Sequence, residues 1–310
     1  MIMYLSIIIP VYNEEDNIIP LYNEIKKTLF KLNKTYEILF VNDGSADNTF
    51  ENIYQLRQKD DRVRLISFKR NFGQSAAIQA GFDNSKGDII ITMDGDMQND
   101  SNDIYKLLEG MNKGYDVVCG WRYNRKDDFL KKFFSKISNC IRKTFLNETL
   151  HDSGCTLRAY KRETVGEIKL YGEMHRYISS LLREKGFSVG EVKVNHRDRK
   201  FGKTKYNIKR LHKGFLDLLF VVFWYKYSTK PLHFFGTLGL FSFFSGIVIV
   251  FYKVVYQLLY LHIPLDLGPL LIVSAFLLLM GLLFILFGFL AEIIIRIYYK
   301  SSQNKTYELK

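Results

Sequence analysis

The stretch IITMDGDMQND, residues 90–100, sets an apolar run against three aspartates, Asp94, Asp96 and Asp100, with Gln98 among them. An Ile-rich run of this kind reads as a buried strand, and the polar residues behind it as the loop at its end. Residues two apart in an extended segment project to the same side, so Asp94 and Asp96 share one side. Two hard oxygen donors at a strand end suit Mg²⁺ or Mn²⁺, ions that keep waters and take phosphate oxygens as well. Asp-x-Asp alone is a weak signal. A solvated loop in which Asp100 or Ser101 starts a helix accounts for it more often, so its neighbours must decide.

Working outward, short apolar runs alternate with helix-like stretches over the first 120 residues. Strands are expected at 4–9, 36–41, 63–68, 89–93 and 115–119, and helices at 16–32, 47–59, 73–85 and 101–113. In the first helix Ile18, Leu21, Tyr22, Ile25 and Leu29 stand at helical spacing. This alternation implies an α/β fold, a mostly parallel Rossmann-like sheet covered on both faces, with its ligand site beyond the carboxyl ends of the strands. The loops PVYNEE, NDGSADN, KRNFGQS and DGDMQND all bring polar residues to that edge. No Gly-x-Gly-x-x-Gly follows the first strand and no Walker loop occurs, which disfavours dehydrogenases and P-loop enzymes.

The formal net charge of +12 is unevenly spread: −5 over residues 1–120, +14 over 121–213 and +3 over 214–310. A basic block can face nucleic acid, anionic headgroups or a phosphorylated substrate. The apolar residues beyond the block favour the last two, and no nucleic-acid partner is expected. Residues 232–252 and 270–291 carry no charged side chain. Each run is long enough to cross the roughly 30 Å hydrocarbon core as a helix. Lys226 and Lys230 precede the first run, Arg296, Lys300, Lys305 and Lys310 follow the second, and the loop between is poor in basic residues. The positive-inside rule then puts the first two thirds and the tail in the cytoplasm, with Lys253 a weak counter-argument. Residues 208–227, IKRLHKGFLDLLFVVFWYKY, read as an amphipathic helix in the headgroup region. The opening MIMYLSIIIP lacks a basic n-region and a cleavage site, and reads as a first strand rather than a signal peptide. Cys119, Cys140 and Cys155 suggest a reduced compartment and no disulfide or metal role.

The segments IIIPVYNEEDNI, FVNDGSADNT, RNFGQSAAIQAGFDNSKGD and MDGDMQND resemble the family 2 glycosyltransferases, in their order and spacing. GWRYNRKD, HDSGCTLRAYKR and HRDRKFGKTKY narrow the resemblance to the polyprenyl-phosphate glycosyltransferases. It covers about residues 4–206, and bacterial members share the two-span tail. Two motifs are variants: Asn42-Asp43-Gly44-Ser45 where the family usually has Asp-Asp-Gly-Ser, and Asp94-Gly95-Asp96-Met97-Gln98 for Asp-Ala-Asp-Leu-Gln.

The resemblance implies an A-type glycosyltransferase fold and inverting transfer from a nucleotide sugar, UDP-glucose favoured, to polyprenyl (undecaprenyl) phosphate. It implies an integral protein of the bacterial plasma membrane with its catalytic domain cytoplasmic, and leaves a homo-oligomer open. Pro10, Tyr12, Glu14 and Asp43 would hold base and ribose, while Asp94, Asp96 and Gln98 would hold Mg²⁺ or Mn²⁺ on the donor diphosphate. Arg122, Arg125, Lys131 and Ser135 fall where the family contacts acceptor phosphate, and Arg199 and Lys205 fall in its second phosphate loop. Asp152 matches the proposed catalytic base, with positioning of the acceptor or of a cation as the alternative; His175 and Arg176 would lie over the donor. With Asp96 and Arg199, Asp152 completes the expected catalytic set. The expected organisation is a catalytic domain at 1–206, a juxtamembrane helix at 207–230, two spans at 231–299 and a tail at 300–310. A processive polysaccharide synthase would carry Gln-x-x-Arg-Trp and more spans, and intact Asp94, Asp96, Asp152 and Arg199 argue against a non-catalytic scaffold.

Overall fold

The computed structural model describes residues 5–32, 34–123, 150–198, 222–223, 226–227, 230–262 and 268–301. The chain divides into two compact units, Met1–Val222 and Phe223–Lys310. In the first unit the expected alternation is present: β1 (Leu5–Val11), α1 (Glu15–Phe30), β2 (Tyr36–Asn42), α2 (Thr49–Lys59), β3 (Val63–Ser67), α3 (Gln74–Asn84), β4 (Ile89–Thr92). Then come α4 (Ile104–Asn112), β5 (Val117–Arg122), β6 (Arg158–Lys161), α5 (Arg162–Gly166), α6 (Ile178–Glu184) and β7 (Val189–Val194).

Successive β1 side chains serve opposite faces of the sheet, as a two-residue period requires. Leu5, Ile7, Ile9 and Val11 join one core with Ile18, Leu21 and Ile25 of α1 and Leu107 of α4. Ile8 joins the other with Ile78 and Phe82 of α3 and Leu182 of α6. Each such side chain, fully buried, contributes roughly 1.5–3 kcal/mol. The helix expected over 101–113 begins instead as a 3-10 turn at Ser101–Asp103. Asp100 caps it by accepting the Asn102 N–H, the helix-start role expected of it.

The sheet runs β3-β2-β1-β4-β6-β5-β7. All its pairings are parallel except those of β6, which lies antiparallel between β4 and β5. This one reversal matters for function. Because β6 runs backwards, the chain that enters it, residues 150–157, arrives at the edge where β1, β2, β4, β5 and β7 end. The order also changes direction between β1 and β4, the place where open α/β sheets form a crevice for ligands.

In the second unit, α7 (Pro231–Val254) continues into a π-helical stretch, Val255–Tyr260, and α8 spans Pro269–Ser301. Both are longer than the apolar runs that announced them. Segments Pro231–Gln257 and Pro269–Ile295 are long and apolar enough to cross a membrane. Their apolar side chains are mostly exposed, among them Phe241, Phe251 and Ile272, which a soluble core helix would bury. The two helices meet through small residues. A methyl group added at Gly239 or at Gly281 would stand 2.7 Å from the other's carbonyl oxygen, and Ser242 Oγ donates to the Leu277 carbonyl at 2.8 Å. The expected amphipathic helix at 208–227 lies largely outside the described residues; Val222, Phe223, Lys226 and Tyr227 within it are helical.

Candidate active site

β4 ends at Thr92 and the chain turns through Asp94–Asn99 against the end of β1. It can do so because residue 95 has no side chain: a Cβ on Gly95 would lie 2.6 Å from Val11 Cγ1. Burial then alternates, with Gly95, Met97 and Asn99 buried and Asp94, Asp96 and Gln98 partly open, as the same-side reading requires. Met97 holds φ +60, a left-handed conformation for a non-glycine residue. The Asn99 amide oxygen takes the Asp94 N–H at 3.2 Å and closes the turn.

Asp94 is fixed from two directions, by Gln74 Nε2 on Oδ1 at 2.9 Å and by Thr156 Oγ1 on Oδ2 at 2.6 Å. Burial, and then the neighbouring Asp96 charge, push its carboxyl above the ordinary carboxylate range, against the pull of those hydrogen bonds. A desolvated carboxylate with a second carboxylate charge beside it is the electrostatic situation that a divalent cation relieves. Each oxygen of Asp94 has a lone pair beyond the one its hydrogen bond uses, so the donor set fits Mg²⁺ or Mn²⁺. No group of three His, Cys, Asp or Glu side chains able to hold a metal occurs among the described residues. A cation here would therefore draw its remaining ligands from substrate and water. Gln98 donates through Nε2 to the Arg197 carbonyl at 3.4 Å and through its N–H to Asp96 Oδ1 at 3.2 Å.

Pro10, Tyr12 and Glu14 lie at the end of β1, beside the turn that follows β2. That turn is woven to them: the Asn13 N–H donates to Ser45 Oγ, the Ala46 N–H to Asn13 Oδ1 and the Glu14 N–H to Thr49 Oγ1. Asn42, the variant residue, accepts from the Ser45 N–H and hydroxyl and donates through Nδ2 to Ser67 Oγ. Its amide serves the turn in both capacities. Gly44, at φ +68, comes so near Arg70 that a Cβ would overlap its carbonyl carbon. Asp43 accepts the N–H groups of Phe72 (2.7 Å) and Gly73 (2.9 Å), one on each oxygen. In this arrangement its carboxylate braces the loop that delivers Gln74 to Asp94.

On the other flank, Arg122 ends β5 and meets Asp152 in a two-point ion pair. Asp152 also accepts the N–H groups of Arg122 (3.3 Å) and Gly154 (3.2 Å). Burial works against the Arg122 charge, but the pairing with Asp152 outweighs it and raises its pKa, so the guanidinium stays ionised. Glu191 of β7 holds this loop from behind, taking the main-chain N–H groups of His151 and Asp152, each at 3.0 Å on Oε1. The His151 ring donates through Nδ1 to Glu191 Oε2 (2.8 Å) and stacks on Trp121, ring centroids 4.2 Å apart. Buried Arg158 ties down the same loop through the carbonyls of Cys155 (2.7 Å) and Ser153 (2.6 Å). Burial pushes the Cys155 thiol up to about 11, which leaves it a packing residue. His175 hydrogen-bonds Ser75 through ring and main chain, on the α3 side of the crevice.

The structure thus brings Pro10, Tyr12, Glu14, Asp43, Asp94, Asp96, Gln98, Arg122 and Asp152 to one sheet edge. Arg125, Lys131, Ser135, Arg199 and Lys205 lie outside the described residues. Gln74, Asn99, Thr156, Arg158, Glu191 and Arg197 were not singled out by the sequence. For all of these except Glu191 the only signal is their place within the quoted motifs.

A mixed α/β sheet with paired carboxylates at its switch point and a buried Arg–Asp pair beside them agrees with the A-type fold that the motifs lead one to expect. Residues 6–169 match the model of the glycosyl transferase family 2, and the chain belongs to that family. It is 36% identical over 308 residues to the dodecaprenyl-phosphate galacturonate synthase of Rhizobium johnstonii, covering 98% of this chain and 91% of that protein. It is 33% identical to an undecaprenyl-phosphate 4-deoxy-4-formamido-L-arabinose transferase of Photorhabdus laumondii, over 94% of this chain and 89% of that one. Among solved structures it is similar to glucosyl-3-phosphoglycerate synthase from Mycobacterium tuberculosis in complex with Mn²⁺ and uridine-diphosphate-glucose. That likeness has a TM-score of 0.56 at 14% identity, covers 71% of this chain and 79% of the other, and concerns the fold.

Proposed function

We propose that this enzyme transfers a sugar from a nucleotide donor to a polyprenyl phosphate at the cytoplasmic face of a bacterial plasma membrane, with inversion. The observation that carries the reading is the juxtaposition at one sheet edge of Asp94 and Asp96 with the Arg122–Asp152 pair, joined through Thr156 and the 150–158 segment. One centre suits a donor diphosphate, the other an acceptor phosphate. Relatives named for dodecaprenyl and undecaprenyl phosphate support the lipid acceptor. The two apolar helices support the membrane. Lysines before the first span and basic residues after the second support a cytoplasmic site.

In the proposed reaction a phosphate oxygen of the lipid attacks the anomeric carbon from the face opposite the diphosphate. The new C–O bond forms as the old one breaks, and the nucleoside diphosphate leaves with the electron pair. A divalent ion on Asp94 and Asp96, with Gln98 beside it, would neutralise charge on the departing diphosphate. Arg122 grips the attacking phosphate, which needs no strong base because a phosphate monoester is mostly ionised near neutral pH, its second pKa being about 6. Asp152 then works by orienting Arg122. Arg125, Lys131, Ser135, Arg199 and Lys205 complete the proposed acceptor grip, and Pro10, Tyr12, Glu14 and Asp43 the proposed nucleoside pocket.

UDP-glucose is the first donor to try. The relatives are named for galacturonate and 4-deoxy-4-formamido-L-arabinose, so the corresponding nucleotide sugars stand beside it. Asp96→Ala tests the scheme: metal-dependent transfer to lipid phosphate collapses while the melting temperature holds. Transfer at the wild-type rate would refute the metal assignment.

A further inference from the structure

Beyond β7 the chain turns back onto the metal loop. Asn99 and His196 form an isolated antiparallel bridge. The Arg197 N–H donates to the Gln98 carbonyl at 2.9 Å, and Gln98 Nε2 returns the contact to the Arg197 carbonyl. Just before it, the Asn195 N–H donates to Asp103 Oδ2 at 2.6 Å. The Arg197 side chain then straddles two acids, with Nη1 on Glu24 Oε2 at 2.8 Å and Nη2 on Asp100 Oδ1 at 2.7 Å. Glu24 uses its other oxygen to accept the N–H (3.1 Å) and hydroxyl (2.9 Å) of Ser101.

One residue therefore holds the loop at Gln98 by its main chain and at Asp100 by its guanidinium, while anchoring both to α1. The loop needs holding. It carries a left-handed Met97 between Asp96 and Gln98, and the charges of Asp94 and Asp96 repel each other. Before a cation arrives, strain and repulsion both favour opening it.

We propose that Arg197 is a positioning residue for the metal site, holding the Asp96–Gln98 segment so that both carboxylates face one cation. The proposal rests on the reading of Asp94 and Asp96 as metal ligands. Its side chain is 31% exposed, so the ion pairs themselves add little to global stability. A positioning role and a structural role therefore separate in experiment.

The test titrates Mn²⁺ into the full-length protein in detergent with UDP present, following free Mn²⁺ by electron paramagnetic resonance and melting temperature in parallel. Asp96→Asn should abolish tight binding. Arg197→Ala should weaken Mn²⁺ binding about ten- to a hundredfold with little change in melting temperature. Arg197→Lys should restore part of it, since an ammonium reaches one acid but lacks the fork. Glu24→Gln should weaken binding in the same direction. Wild-type Mn²⁺ affinity in Arg197→Ala, with or without a lower melting temperature, overturns the proposal. Where that variant fails to fold, wild-type affinity in Glu24→Gln overturns it instead. Unchanged binding in Asp96→Asn would refute the metal-ligand reading and, with it, this proposal, whereas wild-type affinity in Arg197→Ala beside lost affinity in Asp96→Asn would overturn this proposal alone.

Discussion

Arg122 and Asp152 are joined at two points, Nε to Oδ2 at 2.6 Å and Nη2 to Oδ1 at 2.9 Å, with side chains only 13% and 12% exposed. Removing one partner of such a pair leaves the other charge desolvated and alone, which costs about 3 kcal/mol. Asp152→Ala should therefore lower both stability and apparent affinity for the lipid acceptor. Arg122→Ala added to it should cost little more in either. Denaturation and acceptor kinetics on the two single variants and the double variant check this. Additive losses would contradict the pair acting as a unit.

Gly95 lets the Asp94–Asn99 loop lie on Val11. Gly95→Ala should displace the loop and reduce transfer by about tenfold or more, since misplacement of ligating groups by about 1 Å is costly. Val11→Ala in the same chain removes the atom met at 2.6 Å and should recover much of the rate. No recovery in the double variant would mean that the close approach is not the cause.

Asp60 closes α2. It accepts from Arg62 through Nε and Nη2, each at 2.8 Å, and from Tyr22 Oη at 2.7 Å. Burial alone would raise its pKa, but these hydrogen bonds outweigh burial and hold the carboxyl far below the usual range. A depressed folded-state pKa contributes stability that is complete above the unfolded value, about 3.9, and is lost as pH falls through the folded one. Asp60→Asn should thus destabilise by about 1–2 kcal/mol at neutral pH. The deficit should shrink below about pH 4. Denaturation midpoints across that window check it, and a deficit independent of pH would contradict the assignment.

Gly281→Leu would force side-chain atoms into the Gly239 main chain and part α7 from α8. The expected outcome is a lower melting temperature in detergent with Mn²⁺–UDP binding unchanged, because the proposed donor site belongs to the other unit. Equal loss of both would show that the units do not behave separately.

Much of the catalytic unit was legible because Ile- and Val-rich runs such as 5–9 and 36–41 are short, apolar and bounded by polar turns. The rule that ligands collect at strand ends then singled out Asp94 and Asp96. β6 was not legible: Arg-Ala-Tyr-Lys is four residues long and begins with a charge, so nothing in its composition announces a central strand. Yet that reversed strand is what carries Asp152 and Thr156 to the site. Thr156 meets Asp94 across 62 residues, and Arg197 meets Glu24 across 173. Such contacts leave no periodicity, and a Thr or an Arg on a loop reads as solvated until the topology places it. The resemblance alone favours UDP-glucose, and relatives named for other sugars leave the donor to be measured.

The most direct test of the central claim incubates membranes containing this protein with undecaprenyl phosphate and a panel of nucleotide sugars, and identifies the lipid product by mass spectrometry. The panel includes UDP-glucose and the nucleotide forms of galacturonate and 4-deoxy-4-formamido-L-arabinose. The account predicts one donor giving a monoglycosylated polyprenyl phosphate, dependent on Mg²⁺ or Mn²⁺ and absent from Asp96→Ala membranes. No glycolipid from any donor, or one formed equally well by the Asp96→Ala protein, would contradict it.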